Sequence, residues 1–282
     1  MIDARLFVEL VRFEHTLFAL PFAYLGLIAA TGGRPQAGTF VWVTLAMVGA
    51  RTAAMTMNRI FDRGIDARNP RTKDRPLVTG QVSLEQAWIV TAASGGLFLL
   101  SAWMLNPLCF RLAFVAVALI SGYHFMKRFT WLCHFGLGLA LSSAPLGGWI
   151  AATGRWDWKA APLGAAVLLW VAGFDILYSL QDVEFDRKEG LRSVPVRFGE
   201  RKALVIMRAC HIASVASLAI FGLIQGYGWV YWIGMGVCGG LLVLENNIVN
   251  ENDLRHLQTA FFTINSWFGI LLLIFTFLEI FR

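Results

Sequence analysis

Apolar residues in this chain run in long blocks broken by short polar punctuation, without the strict alternation of a half-buried strand. Nine blocks are long enough to cross a hydrocarbon core, which takes about 20 residues as a helix. They cover residues 14–31, 39–61, 85–105, 108–126, 131–152, 161–181, 203–224, 228–246 and 259–280. The connections 32–38, 106–107 and 225–228 are short, whereas 62–84, 182–202 and 247–258 are longer and polar. The pattern predicts an all-α polytopic membrane protein, with nine transmembrane helices forming a single domain over residues 1–282. Arg5 and Arg12 before the first block mimic a signal peptide, but no small-residue cleavage site follows, so that block is read as a retained span.

Composition agrees with the pattern. Of the 282 residues 57% are hydrophobic and 15% charged, against about 25% charged in soluble domains. The net charge of +6 could point to nucleic acid, but its distribution explains it otherwise. Seventeen Lys and Arg fall on one side of the predicted membrane, five on the other, and Arg51 and Arg208 lie within spans. By the positive-inside rule the N-terminus and the loops 62–84 and 182–202 are cytoplasmic, in a cell inner membrane. Cys109, Cys133, Cys210 and Cys238 each sit in a different block, which excludes a disulfide framework, and no His pair has zinc spacing.

The second and sixth blocks each end in acidic residues four apart. Asn58, Asp62 and Asp66 share one helix face, with the two carboxylates roughly 6 Å apart along the axis at about 1.5 Å per residue. Tyr178, Asp182 and Asp186 repeat that spacing 120 residues later. Both spans run toward the cytoplasm, so the match predicts a parallel internal repeat that brings the two stripes together across a central cavity. Four carboxylates without Cys or His form a hard oxygen set suited to Mg²⁺, which takes one or two carboxylates plus substrate phosphates. With Arg71, Arg75, Lys188 and Arg197 nearby, the site fits a metal-bridged diphosphate on a long hydrocarbon tail. Arg51 lies seven residues before Asn58 and Asp175 seven before Asp182, about 10 Å deeper on the same faces. They would be placed to pair with each other across the cavity.

These motifs resemble the UbiA-type intramembrane aromatic prenyltransferases over essentially the whole chain. The resemblance rests on Asn58-x3-Asp62-x3-Asp66, on Asn69-Pro70-Arg71-Thr72-x2-Arg75-Pro76-Leu77, and on Asp175-x2-Tyr178-x3-Asp182-x3-Asp186 followed by Arg187-Lys188-Glu189-Gly190. Many members carry Asp after the Asn, where this chain has Arg59, a position expected to point off the stripe. The resemblance implies nine helices around a cavity, with the loops 62–84 and 182–202 capping it. It also implies Mg²⁺-assisted transfer of a polyprenyl group from a polyprenyl diphosphate to a hydroxylated aromatic carboxylic acid; as the alternative to pairing, Arg51 would then grip that acceptor's carboxylate while Asp175 orients it. Tyr123 and Lys127 match a Tyr-x3-Lys feature near the reactive end of the diphosphate. Gln181 to Asp186 resembles the 4-hydroxybenzoate branch of quinone biosynthesis; a dihydroxynaphthoate in a menaquinone route is the alternative acceptor. An ion-coupled transporter also has repeats and buried carboxylates, but its site is expected near the midplane rather than at one face.

Overall fold

The computed structural model describes residues 4–11, 16–248 and 263–282. The first residues of the predicted spans 14–31 and 259–280, and the basic residues Arg12 and Arg255, lie outside them. The regular secondary structure of the described residues is helical, without strands. In chain order the α-helices are α1 (Ala4–Val11), α2 (Thr16–Thr31), α3 (Ala37–Asp66), α4 (Pro76–Thr79), α5 (Leu84–Leu105), α6 (Pro107–Met126) and α7 (Cys133–Thr153). There follow α8 (Ala161–Ser179), α9 (Val183–Lys188), α10 (Val194–Phe198), α11 (Glu200–Gln225), α12 (Trp229–Ile248) and α13 (Asn265–Phe281). Among the described residues six helical segments are long and apolar enough to cross a membrane: Ala37–Asp66, Leu84–Leu105, Pro107–Met126, Cys133–Thr153, Trp158–Lys188 and Glu200–Gln225.

Helix boundaries follow local chemistry. Ser83 and Gln86 close a capping box that opens α5, and the Asn106 side chain accepts the Cys109 N–H at the start of α6, where Pro107 occupies the first turn. The N-terminus of α12 is capped from outside its own sequence. Both carboxylate oxygens of Glu279, on α13, accept backbone N–H groups there, from Gly228 at 2.9 Å, Val230 at 3.1 Å and Tyr231 at 3.2 Å.

The helices approach closely where side chains are small, as expected when no water drives association. Gly26 and Gly148 set α2 against α7, where an added Cβ would run into the carbonyls of Pro145 and Ala23. A buried Thr91 hydroxyl donates to Thr56 across the α3–α5 contact at 2.9 Å. The core centres on Trp170, which stacks on Phe268 with centroids 5.1 Å apart and donates its indole N–H to Asn265. Apolar side chains such as Ile89, Trp103, Phe114, Ile212 and Leu223 cover the outside instead. That surface suits lipid.

The sixth predicted span is not one continuous helix. After Ser179 a 3₁₀ turn, Leu180–Asp182, intervenes before α9. Tyr178 and Asp182 therefore do not share the regular α-helical face that their spacing predicts, because the 3₁₀ turn between them carries fewer residues per turn.

Two expected outcomes follow from this packing. Replacing Gly148 by Ala should lower the midpoint of thermal unfolding, at a cost of about 1–3 kcal/mol for the forced separation of α2 and α7. In a chain freed of its own cysteines, Cys at Lys73 and at Arg197 should react with an impermeant thiol reagent from one membrane face, and Cys at Lys159 from the other. Labelling of Lys73→Cys and Arg197→Cys from opposite faces would rule out a shared cavity.

Candidate active site

The C-terminal end of α3 and the segment from α8 to α9 meet at a cavity of about 290 Å³. Asp62, Asp66, Asp182 and Asp186 all line it, as do Asn58 and Tyr178. Asp62 and Asp66 are 3% and 6% exposed. Carboxylates this buried need counter-charges, and cations from the end of α6 and from the loop after α3 supply them. Lys127 Nζ lies 2.9 Å from Asp62, and Arg128, the next residue at the end of α6, reaches the other oxygen at 3.3 Å. Arg75 pairs with Asp66 at 2.5 Å. Arg71 forks onto Asp182, its Nε at 3.0 Å and Nη2 at 2.5 Å from the two oxygens. Its third nitrogen donates to the Tyr178 hydroxyl at 3.3 Å. Burial alone would depress the Arg71 guanidinium, but hydrogen bonding and the charge of Asp182 outweigh it and raise its pKa. Asn69 adds a bond to Asp182 at 3.1 Å, and Asn58 one to Asp62 at 3.2 Å.

The loops that carry these groups are tied together. Gly190, at φ 68, turns the chain after α9 in a backbone conformation that side chains disfavour, and Leu191 N–H then reaches back to the Asp186 carbonyl at 2.8 Å. Arg68 bonds Glu189 across the two loops at 2.6 Å, which holds the Glu189 carboxyl below its ordinary value. Arg192 N–H donates to the Lys127 carbonyl at 2.7 Å.

A second layer lies deeper. Arg51, Tyr123, His134 and Asp175 line the same cavity below the aspartates. Arg51 Nε has no hydrogen-bond partner, and no carboxylate pairs with its guanidinium among the described residues. The pairing of Arg51 with Asp175 considered from sequence does not form. Asp175 instead meets His134 Nδ1 at 2.7 Å. Farther in, an apolar cavity of about 260 Å³ is walled by α3, α5, α6 and α7, starting at Ala50, beside Arg51.

Three further expectations change. Lys188 and Arg197 are exposed on the short helices α9 and α10 and do not line the cavity. Arg59 does line it, 7% exposed and donating to Asn58 Oδ1 at 3.2 Å, so it does not point off the stripe. The guanidinium is long enough to fold back beside the neighbouring Asn. Arg128 and His134 carry no motif spacing, and sequence reasoning passed over both. The only signal for Arg128 was its position after Lys127 at a helix end.

Among the described residues no three carboxylate, imidazole or thiol groups converge tightly enough to enclose a metal. The donor set does fit a hard divalent cation held between one or two carboxylates and a ligand's phosphates, which is how Mg²⁺ is commonly bound.

The model of the UbiA prenyltransferase family matches residues 19–267. The 4-hydroxybenzoate octaprenyltransferase of Nitrosospira multiformis is 32% identical over 244 residues, covering 86% of this chain and 83% of its own. That of Pseudomonas aeruginosa is 32% identical over 271 residues, covering 94% and 90%. The apo structure of a UbiA homolog from Aeropyrum pernix K1 superposes with a TM-score of 0.84 at 34% identity, over 92% of this chain and 95% of that one. A UbiA homolog from Archaeoglobus fulgidus bound to GPP and Mg²⁺ has the same fold, with a TM-score of 0.70 at 22% identity over 98% and 100% of the two chains.

Proposed function

Since the chain belongs to the UbiA prenyltransferase family, we propose that it transfers a polyprenyl group from a polyprenyl diphosphate to a hydroxylated aromatic carboxylic acid, with 4-hydroxybenzoate the favoured acceptor, in quinone biosynthesis. One observation carries the reading. A single cavity has four aspartates and Arg71, Arg75 and Lys127 at its mouth, and the uncompensated Arg51 below them. The names of the curated relatives favour 4-hydroxybenzoate over a dihydroxynaphthoate. The reading extends to nine membrane crossings, with α2, α12 and α13 added to the six long segments, and to a parallel internal repeat. The N-terminus and the cavity mouth would face the cytoplasm.

The diphosphate would lie between the two acidic walls. Asp62, Asp66, Asp182 and Asp186 would hold the divalent cation, Mg²⁺ in this reading, which when bound offsets charge on the departing diphosphate. Arg71, Arg75 and Lys127 bring further positive charge to the same place, and such fixed charges act strongly where water is excluded. Tyr178 and Asn58 orient Arg71 and Asp62 through the bonds described above. Tyr123 and Lys127 would stand near the allylic carbon, and the apolar cavity beyond Arg51 would take the first units of the tail. The helices α9 and α10 cover the mouth and keep water from the carbocation-like donor. Arg51 would grip the acceptor carboxylate, a task for which a planar fork of donors is well shaped. A carrier would instead place its acidic site near the membrane midplane.

Asp62→Asn or Asp182→Asn should lower turnover by about 100-fold or more, each factor of ten being about 1.4 kcal/mol, and EDTA should abolish it. Retention of full activity in either case would contradict the metal reading. Arg51→Ala should raise the acceptor KM by about 30-fold, the loss of about 2 kcal/mol from a charged hydrogen-bonded pair, and leave the donor KM nearly unchanged. An acceptor without a carboxylate should lose little further. Equal damage with both acceptors would remove Arg51 from recognition.

A further inference from the structure

Beside the catalytic cavity lies a further pocket of about 370 Å³, to which the transfer described above gives no task. Phe61, Gly64 and Ile65, from the last turns of α3, line it, and Arg68, Arg128 and Glu189 supply its charge. Ile65 also lines the catalytic cavity, so the two spaces share that side chain as a wall. A Cβ added at Gly64 would meet nothing within 4 Å, which leaves the space over α3 open there.

The charged groups of this pocket are only partly engaged. Arg68 directs Nε and Nη2 at one oxygen of Glu189, at 2.9 and 2.6 Å, and the other Glu189 oxygen accepts no hydrogen bond among the described residues. Arg128 uses only Nη2, which donates to the Phe61 carbonyl at 2.6 Å and to Asp62 at 3.3 Å. Its Nε and Nη1 have no hydrogen-bond partner among the described residues, and its side chain is 38% exposed. Two guanidinium forks beside an apolar shelf suit a planar molecule that ends in a carboxylate. A carboxylate that meets Arg68 with both oxygens makes the fork-to-fork pair that Glu189 does not make.

We infer that this pocket is the intake site for the aromatic acceptor, whose carboxylate takes the place of Glu189 on Arg68 and so releases the cover. The inference rests on the aromatic-acceptor reading. The two substrates differ in where they come from. A polyprenyl tail partitions into the bilayer, whereas an ionised carboxylate is excluded from hydrocarbon and arrives from water. On that side Arg68 and Glu189 tie the loop after α3 to the loop after α9. The exchange strands no ion, because one carboxylate leaves Arg68 as another arrives. With its ring on Phe61 and Ile65, the acceptor then passes Ile65 into the cavity that holds Arg51.

The experiment follows kcat, both KM values and the release of prenyl alcohol without transfer, using 4-hydroxybenzoate, geranyl diphosphate and Mg²⁺. If wild type prenylates no hydroxylated aromatic acid, the acceptor reading fails and this inference with it. With wild type active, Gly64→Leu fills the pocket at an exposed helical position, where Leu is the better helix former. It should lower kcat/KM for the acceptor by about 10-fold and leave kcat and the donor KM within a few-fold. Gly64→Ala adds a single methyl group and should stay near wild type. Arg68→Gln and Glu189→Gln break the same ion pair, so a merely structural contact gives the same change in both. Exchange gives opposite changes. Arg68→Gln should lower acceptor kcat/KM by about 10-fold, because the docking charge is gone. Glu189→Gln should raise it by about 3-fold, because the competing carboxylate is gone. Both should release more prenyl alcohol than wild type, because either one opens the cover to water. Calorimetric binding of inorganic diphosphate with Mg²⁺ reports whether each variant is folded. Wild-type acceptor kcat/KM in Gly64→Leu would take the intake route away from this pocket. Changes of the same sign in Arg68→Gln and Glu189→Gln, a change confined to kcat, or prenyl alcohol at the wild-type level in both would overturn the exchange.

Discussion

Carboxylates can be buried at the edge of a bilayer only with cations beside them, and this protein supplies those cations from separate parts of the chain. Each ion taken out of water costs several kcal/mol even after relaxation. Lys127 and Arg128 come from the end of α6, Arg75 from the loop after α3, and Arg71 crosses from that loop to Asp182, 111 residues away. The charge pairs that make the aspartates tolerable therefore also fasten the two polar loops to each other. Removing one partner would strand the other and loosen a loop, so the electrostatics of the site and the order of its cover are one problem.

The two cavities together grade from ionic to apolar over a few helical turns. Arg71, Arg75 and Lys127 lie at the mouth, Arg51 and Tyr123 below, and Ala50, Ile120 and Leu139 deeper still. The grading matches a molecule charged at one end and greasy at the other. The cover over the mouth is held unequally. Backbone bonds from Arg192 to Lys127 and from Val194 to His134 fix one edge, while an exposed ion pair, Arg68 with Glu189, closes the other. Exposed pairs contribute little, about 0–1 kcal/mol, so the Arg68 edge is the easier one to open.

Much of this was legible in the sequence because it rested on period and sign. Block length gave the helices, and the spacing of Asn58, Asp62 and Asp66 gave one wall of the site. The other wall was only partly readable. The 3₁₀ turn at Leu180–Asp182 breaks the regular face, and no residue there announces it. Long side chains were the other source of error. Arg59 folds back into the cavity, and Lys188 and Arg197 turn to solvent, because a flexible stem lets the charge settle far from where its Cα points. The partner of Asp175 was not readable at all. His134 lies 41 residues away with no shared spacing, and only the packing of α7 on α8 brings them together.

The Glu279 cap also bears on how the protein is made. The chain is synthesised from its N-terminus, so α12 is complete before α13 is. Until α13 arrives, the amides of Gly228, Val230 and Tyr231 lack the carboxylate that later receives them. The first backbone N–H groups of a helix have no partner within it, and Tyr231 is fully buried in the finished fold. The pairing of the first turn of α12 thus waits for α13. The order of biosynthesis makes α13 the fastener of this end of the bundle.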